Sequence, residues 1–352
     1  MKNKPIDKLL LSPISWLPDS SNNDNITISS RIRLARNLSD LAFPINSSES
    51  EHNQVLSILS SIIKKCKVLD SIMEININSL SEIDRLFLLE RHLISCNCGE
   101  GASGCSLMTN EAGLCSIIIN GEDHIRLQVI QPGLSLLKIW PIIDDIDNHL
   151  NKNISFAYNK TLGYLTSSPK NVGTGMQASV MLNLPGLTLI GYLNTVIQGA
   201  SKLGVAMNGM PGEGSECIGN LYQVSNQSTL GETELQIIQR LENIIQQIIN
   251  HERNARLTLL ETKQNFLQDY IGRAYGLLRY SYILSSKEAL NSLSILRMGV
   301  DLKMFTSLDI HTINELFIAI QPAHLQKRSL DKLTSREQDI LRAKIVREKL
   351  QK

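Results

Sequence analysis

The chain has 352 residues, of which 42% are hydrophobic and 20% charged, so it can bury a sizeable core and has too few charges to stay unfolded. Its 35 Lys and Arg balance 34 Asp and Glu, which argues against a nucleic-acid footprint spread over the whole chain. No apolar run reaches the ~18–20 residues of a membrane span, and the start MKNKPIDKLLLSP has too short an apolar stretch for a signal peptide; a cytoplasmic protein of two or three domains, or of one large domain with an appendage, with neither nucleic acid nor membrane as partner, is expected.

Residues 1–25, rich in Pro, Ser and Asn, read as an irregular lead-in. SSRIRLARN (29–37) alternates like a strand, which puts Arg31 and Arg33 on one face. Two adjacent guanidiniums repel unless an anion lies between them, and a polyphosphate suits that place; an exposed basic edge is the plainer alternative. Val55, Leu56, Ile58, Leu59, Ile62 and Ile63 give Asn53–Cys66 a helical period, and Asp84–Leu93 has the same texture. Cys96, Cys98 and Cys105 lie close together, yet Cys-x-Cys is not paired zinc spacing and no fourth ligand is near. Free thiols are expected.

From Leu114 to Asn226 short β runs alternate with Gly, Pro and Asn, at 116–120, 124–130, 178–184 and 220–226. Glu122, Asp123, His124 and Arg126 stand at a strand end or tight turn between the first two, a set that alone fits a surface ion-pair network. SSPKNVGTG leads from a turn into a strand, Leu187–Leu203 reads as one helix over a sheet face, and NGMPGEGSE (208–216) reads as a lid or a connection. Beyond Gly231 the strands stop. Capping-box spacings at Thr229/Glu232, Ser285/Glu288, Thr312/Glu315 and Thr334/Glu337 each precede a helical pattern. The plan is an α+β body to about residue 255, with its boundary near HERNAR (251–256), and an all-helical unit packed against it without a linker.

Singly these motifs decide little. In order, SSRIRLARN, ERHLIS (90–95), NGEDHIRLQ, SPKNVGTG, QASVMLNLP and GEGSE resemble the ATP:guanidino phosphotransferase family over nearly the whole chain. GEGSECIGNLYQVSNQSTLGETE and the helical extension through QPAHLQK (321–327) resemble its bacterial protein-arginine kinase branch; the metabolic kinases lack that extension. The resemblance implies an α+β, phosphagen-kinase-like fold: a small, mostly helical N-terminal subdomain (about 1–100), a curved, mainly antiparallel sheet flanked by helices (about 101–255), and a helical C-terminal domain (256–352). It implies ATP with Mg2+, the metal held through the phosphates and not by dedicated protein ligands. By motif match Glu122 is the catalytic carboxylate. The implied ATP site comprises Ser29, Ser30, Arg31, Ile32, Arg33, His92, Arg126, Gln177, Ala178, Ser179, Val180, Met181, Asn208, Gly209, Met210, Pro211, Gly212 and Glu213. Gln338, Asp339, Arg342 and Ala343 match the branch's phosphoarginine-binding motif, with Gln338 replacing its first Arg.

The implied activity is transfer of the ATP γ-phosphoryl to arginine side chains of proteins, marking them for Clp-type degradation. The implied partners are a zinc-containing activator protein and a Clp-type unfoldase, and a homodimer is allowed. The departures are specific. Gln177 and Asn208 stand where the family has arginines, Ser168 where metabolic members have a reactive Cys, and Gly121 where they have a second Glu. One arginine on a transferring phosphoryl group is worth ~10³–10⁵ in rate, so the alternative is a weakened or inactive member acting as a phosphoarginine- or partner-binding adaptor, unless Lys170 or Lys202 compensates.

Overall fold

Alternation with period two builds the centre of the molecule. The computed structural model describes residues 4–17, 25–69, 71–95, 104–211, 217–305 and 307–351, and among these eight strands form one antiparallel sheet. In chain order the elements are α1 (Lys4–Leu11), β1 (Thr27–Arg36), α2 (Glu49–Ile63), β2 (Met73–Asn76), α3 (Glu82–Glu90), β3 (Ser106–Thr109), β4 (Cys115–Ile119), β5 (Ile125–Pro132), α4 (Leu136–Asn151), β6 (Tyr158–Asn159), β7 (Gly163–Tyr164), β8 (Met176–Asn183), α5 (Pro185–Leu189), α6 (Leu193–Lys202), β9 (Val205–Pro211), β10 (Cys217–Asn226), α7 (Glu234–Thr262), α8 (Gln264–Tyr280), α9 (Ser286–Asp301), α10 (Ile310–Ala319), α11 (Pro322–Lys327) and α12 (Ser335–Leu350). The sheet order is β2-β3-β4-β5-β1-β8-β10-β9, with β6 and β7 a separate ribbon. None of the described helices is long and apolar enough to cross a membrane.

One sheet face is apolar. Ile32 and Leu34 of β1, Leu127 and Val129 of β5, Ala178 and Val180 of β8 and Val224 of β10 join one buried cluster with α4 and α7, whose Ile139, Ile143 and Ile146 and Ile238, Leu241 and Ile245 recur at helical spacing. The intervening residues of the same strands put Arg, Gln and Ser on the opposite face. That polar patch has apolar borders. Ile28, Ile130 and Leu221 pack with the C-terminal helices through Leu290, Leu293 and Phe317. Ile75, Leu107 and Ile118 pack with α1, α3 and α11 through Ile6, Leu9, Phe87 and Ala323.

The expected boundary near 251–256 lies inside α7, which runs unbroken to Thr262. Glu252 there is fully buried, accepts from the Gly186 and Leu187 amides at 2.8 Å each, and pairs with Arg256 at 2.7 Å. Arg256 also reaches Asp301 of α9 at 2.6 Å and the Asn183 carbonyl. Burial raises the Glu252 carboxyl above its usual range, against the opposing pull of Arg256 and the two amides. An ionic network with its partners present thus joins sheet and C-terminal helices, and removing one partner would leave a charge buried alone.

Several elements differ from the sequence reading. The lead-in contains α1, which buries Ile6 and Leu9. The helix expected over Leu187–Leu203 is two helices, parted at Gly191 with φ +74°. Gly231, at φ +90°, keeps the chain in a turn after Thr229, so α7 takes its capping box from Thr233 and Gln236. Thr312 lies inside α10, which begins after Asp309, whereas the boxes at Ser285/Glu288 and Thr334/Glu337 cap α9 and α12. The first hundred residues add β2 to the sheet in addition to the expected strand β1.

Candidate active site

Register gives the polar patch its shape. Arg33 on β1 stands between Gln177 of β8 and Gln128 of β5, and Arg31 between Ser179 and Ile130. Gln223 of β10 opposes Met181 of β8 on one side and Asn208 of β9 on the other. Directly opposed residues share a face, so five strands contribute to one surface. Arg126 follows on β5, two residues from Gln128, and extends the surface toward the β4–β5 turn.

Glu122 sits on that turn. Asn120, at φ +52°, donates its amide to the His124 carbonyl at 3.0 Å, and its side chain donates to the His52 carbonyl at 2.8 Å. Asp123 is fully buried and accepts from the Asn37 side chain and the Ser167 amide, both at 2.7 Å. The turn is thereby pinned to the end of β1 and to the SSPKN loop. Gly173 locks that loop in turn: at φ +116°, a Cβ there would come within 2.2 Å of the Thr229 carbonyl oxygen. With both flanks fixed, the Glu122 side chain remains 43% exposed and meets Arg126 at 2.6 Å. Arg126 also donates to Ser95 Oγ at 3.1 Å.

Arg31 donates to Gln223 Oε1 at 3.1 Å, and Arg33 donates to Gln177 Oε1. Burial, then Arg126, pushes the Arg31 guanidinium down to about 10. Burial, then Arg31 and Arg126, holds Arg33 well below the ordinary guanidinium value, with Glu122 pulling the other way. Three clustered cations with one carboxylate among them form a site that an anion would relieve.

His92 closes the cleft. It follows α3 at φ +59°, its carbonyl accepts from Gln128 Nε2 at 2.7 Å, and its ring centroid lies 4.9 Å from that of Trp16. Burial, then Arg31 and Arg33, pushes its imidazole down to about 3, so the ring is neutral at physiological pH. The folded chain therefore refuses a proton that the unfolded chain accepts between pH 6.5 and about 3, and stability contributed here is lost as pH falls through that window. His92→Asn, which tolerates the same left-handed backbone, is expected to flatten the fall of the thermal midpoint between pH 6.5 and 4. An unchanged pH slope would mean that other groups set it.

Of the residues expected at ATP, Ser29, Arg31, Arg33, His92, Arg126, Gln177, Ser179, Met181 and Asn208 gather around this face, and Ser29, Arg31, His92, Ser179 and Met181 line one cleft. Four others point away. Ile32, Ala178 and Val180 are fully buried in the opposite core. Ser30 donates to the Gly133 carbonyl at 2.7 Å and accepts from the Ser135 amide. The motif match took whole strings, whereas strand alternation divides them between faces. On β9, a Cβ at Gly209 would come within 2.7 Å of Cys217 Cβ, so glycine alone fits there. Met210 lines a neighbouring cavity and Pro211 ends the strand; Gly212 and Glu213 lie outside the described residues, as do Cys96 and Cys98. Cys66, Cys105, Cys115 and Cys217 are free thiols.

Lys202 does not replace the missing arginines. It ends α6, whose Val196 and Ala200 pack with Val205 and Met207 in the apolar-face cluster, on the far side of the sheet from Asn208. Lys170 is exposed on the SSPKN loop. Sequence reasoning missed Gln223, Gln128 and Ser95, which hold Arg31, the His92 carbonyl and Arg126; the polar positions of QVI and YQVSN were the available signal. Among the described residues no group of three His, Cys, Asp or Glu side chains offers a metal site.

The C-terminal quartet has another character. Arg342 is 2% exposed and donates to the Ile320 carbonyl at 3.1 Å, the Leu284 carbonyl at 2.8 Å and the Asp339 carboxylate. Ala343 is fully buried, while Gln338 and Asp339 are half-buried. Arg342→Ala would strand two carbonyls and a carboxylate, and is expected to cost about 3 kcal/mol of stability, read from urea unfolding. A loss below about 1 kcal/mol would show that the guanidinium does not hold these helices together.

Comparison with known proteins gives concordant matches. The family model described as the ATP:guanido phosphotransferase C-terminal catalytic domain matches residues 54–255, and that of the protein-arginine kinase McsB C-terminal domain matches residues 264–352. The protein-arginine kinase of Halothermothrix orenii is 40% identical over 336 residues, covering 95% of this chain and 96% of its own. That of Bacillus subtilis is 38% identical over 339 residues, covering 96% and 93%. Among solved structures, the substrate-free duplicated taurocyamine kinase of Schistosoma mansoni superposes with TM-score 0.58 at 22% identity, covering 76% of this chain and 42% of that one. Lombricine kinase superposes with TM-score 0.56 at 21% identity, covering 68% and 70%. At such identities the structures speak for the fold alone.

Proposed function

The chain belongs to the ATP:guanido phosphotransferases, in their protein-arginine kinase branch, and from that premise we propose that it transfers the γ-phosphoryl of Mg-ATP to arginine side chains of proteins. The observation that carries the reading is the juxtaposition of Glu122 with the Arg31, Arg33 and Arg126 cluster on one sheet face. The cations are suited to hold and neutralise a triphosphate. Magnesium bound to the nucleotide would add charge neutralisation at the phosphates.

A guanidinium is a poor nucleophile because its lone pairs are delocalised and it stays protonated. Glu122 can accept two N–H bonds from a substrate guanidinium, orient one nitrogen at the γ-phosphorus and take the proton that nitrogen loses. The N–P bond then forms as the bond from phosphorus to the ADP oxygen breaks. Because Glu122 already holds Arg126, a substrate arginine would compete with Arg126 for the carboxylate, and Arg126 would turn to the phosphates.

A second reading is supported by Gln177 and Asn208. With both neutral, the chain would bind partners or phosphoarginine without efficient transfer. Phosphoarginine recognition at Gln338, Asp339, Arg342 and Ala343 belongs to this proposal, with Asp339 and Gln338 as its accessible members. So do a zinc-containing activator, a Clp-type unfoldase that takes marked substrates, a homodimer and a cytoplasmic location. The deciding test is incubation of the chain with Mg-ATP and an arginine-rich unfolded protein. Acid-labile phosphate on arginine supports the kinase; ATP binding without it supports the adaptor.

A further inference from the structure

Arg91, one residue before His92, lines a different cavity of about 200 Å³, between residues 10–17, the end of α3 and the helices α10–α12. No residue expected at ATP lines it, and neither does any of Gln338, Asp339, Arg342 and Ala343. Its deeper groups are charged or polar. Arg91 is 4% exposed and donates to the Leu9, Ser12 and Pro13 carbonyls, with no carboxylate partner among the described residues. Burial pushes its guanidinium down to about 10. Carbonyl dipoles surround this charge, and nothing neutralises it.

His324 is 6% exposed, and its Nδ1 lies 2.7 Å from Glu90 Oε2. Glu90 also accepts from the Ala323 amide at 2.8 Å and the His324 amide at 3.1 Å. Glu90 thus takes the Nδ1 proton, and Nε2, which has no partner among the described residues, is the nitrogen the ring can offer to the cavity. Toward solvent stand Arg328, exposed and without a carboxylate partner among the described residues, and Lys349, which meets Glu315 at 2.7 Å. Burial raises the Glu315 carboxyl, but Lys349 and His311 outweigh it and hold the group below its usual range.

Arg91, Arg328 and Lys349 therefore face the cavity with one carboxylate, Glu315, among them. The surplus charge favours an anion. Glu315 and a neutral His324 Nε2 then choose among anions, because both need a donor. Sulfate is fully ionised at neutral pH and has no O–H to give. Phosphate keeps at least one O–H for Glu315 or Nε2, while its other oxygens accept from Arg328 and Lys349.

We propose that this cavity is a second anion site, separate from the one on the sheet, which takes a phosphate-class oxyanion, free or carried on a side chain, between Arg328, Lys349, His324 and Glu315. Such a ligand bridges the N-terminal segment held by Arg91 to the C-terminal helices, and so stabilises the fold in proportion to its occupancy.

The test uses the full chain at pH 7 and constant ionic strength. Calorimetric titration and thermal midpoints are read with inorganic phosphate, sulfate and O-phosphoserine. Phosphate is expected to bind about tenfold more tightly than sulfate and to raise the midpoint further. Arg328→Gln changes an exposed side chain and should leave the fold intact. It is expected to weaken phosphate about tenfold, the worth of one charge-assisted hydrogen bond. Glu315→Gln is expected to narrow the phosphate/sulfate ratio, because the repelling charge is gone and an amide can donate. Arg126→Gln, which depletes the cluster on the sheet, is expected to leave this binding within about threefold. O-phosphoserine binding as well as phosphate would support an occupant carried on a side chain, and phosphate binding alone would support the free ion. A parent that does not distinguish phosphate from sulfate would overturn the proposal. So would phosphate binding that survives Arg328→Gln and is lost in Arg126→Gln, since the ion would then sit on the sheet.

Discussion

Glu122→Gln is expected to reduce phosphoarginine formation about 10²- to 10⁴-fold while Mg-ATP affinity changes by less than about tenfold. Glutamine keeps the shape, so the turn fixed by Asn120 and Asp123 should survive. It keeps one acceptor oxygen, so Arg126 retains a partner. It loses the negative charge that aligns a substrate guanidinium and the basicity that removes its proton. Removing that charge leaves the cluster of Arg31, Arg33 and Arg126 more positive, which favours anion binding. Rate and affinity should therefore move separately, or in opposite directions. The measurement is acid-labile phosphate per unit time beside calorimetric ATP titration. Undiminished turnover would remove Glu122 from the mechanism. Affinity lost in parallel with rate would mean that Glu122 acts by holding Arg126 in place.

The sequence carried the strands of this site more legibly than its details. RIR, HIRLQVI, QASVM and YQVSN alternate cleanly, and alternation alone predicts a sheet with one polar face. What pairing adds is the order: β1 sits between β5 and β8, so Arg31 and Arg33 meet Gln177 and Arg126 from segments about a hundred residues away. No local pattern states that order, because it arises from long-range register. Helix starts were legible where one capping box stood alone, as at Ser285 and Thr334, and misread where a Gly turn overrode an equally good spacing, as at Thr229. The buried junction of Glu252, Arg256 and Asp301 was illegible for the same reason as the sheet order, since Asp301 of α9 meets the Glu252–Arg256 pair of α7 from 45 residues away.

The neutral positions bear on more than charge count. Gln177 is not merely a lost cation: its amide oxygen accepts from Arg33, so in the absence of nucleotide it stabilises a guanidinium that burial and two neighbouring arginines disfavour. Gln223 does the same for Arg31, and Asn208 stands opposite Gln223. The chain thus holds Arg31 and Arg33 with glutamine acceptors, and by the motif match Gln177 does so at a position where the family has an arginine. Such a cage should be more stable when empty and less demanding of a triphosphate.

Gln177→Arg together with Asn208→Arg tests that trade. Gln177→Arg removes the acceptor of Arg33 and places a fourth cation beside it, so the ligand-free thermal midpoint is expected to fall. Asn208 is exposed, and its replacement is expected to cost less. With Mg-ATP the order reverses: both arginines meet phosphate oxygens, the ligand-induced shift grows, and phosphoarginine formation rises by up to the ~10³ that one cation on a transferring phosphoryl group supplies. The two changes act on one triphosphate, so their effects on affinity should not add. Thermal midpoints with and without Mg-ATP, and phosphoarginine yield, are to be measured for the parent, both singles and the double. A parent as active as the double would mean that Arg31, Arg33 and Arg126 suffice, and the adaptor reading would lose its main support. A double that gains neither affinity nor rate would mean that the face no longer takes a triphosphate in the family's geometry, and the chain would then be better understood as a binding protein built on a kinase fold.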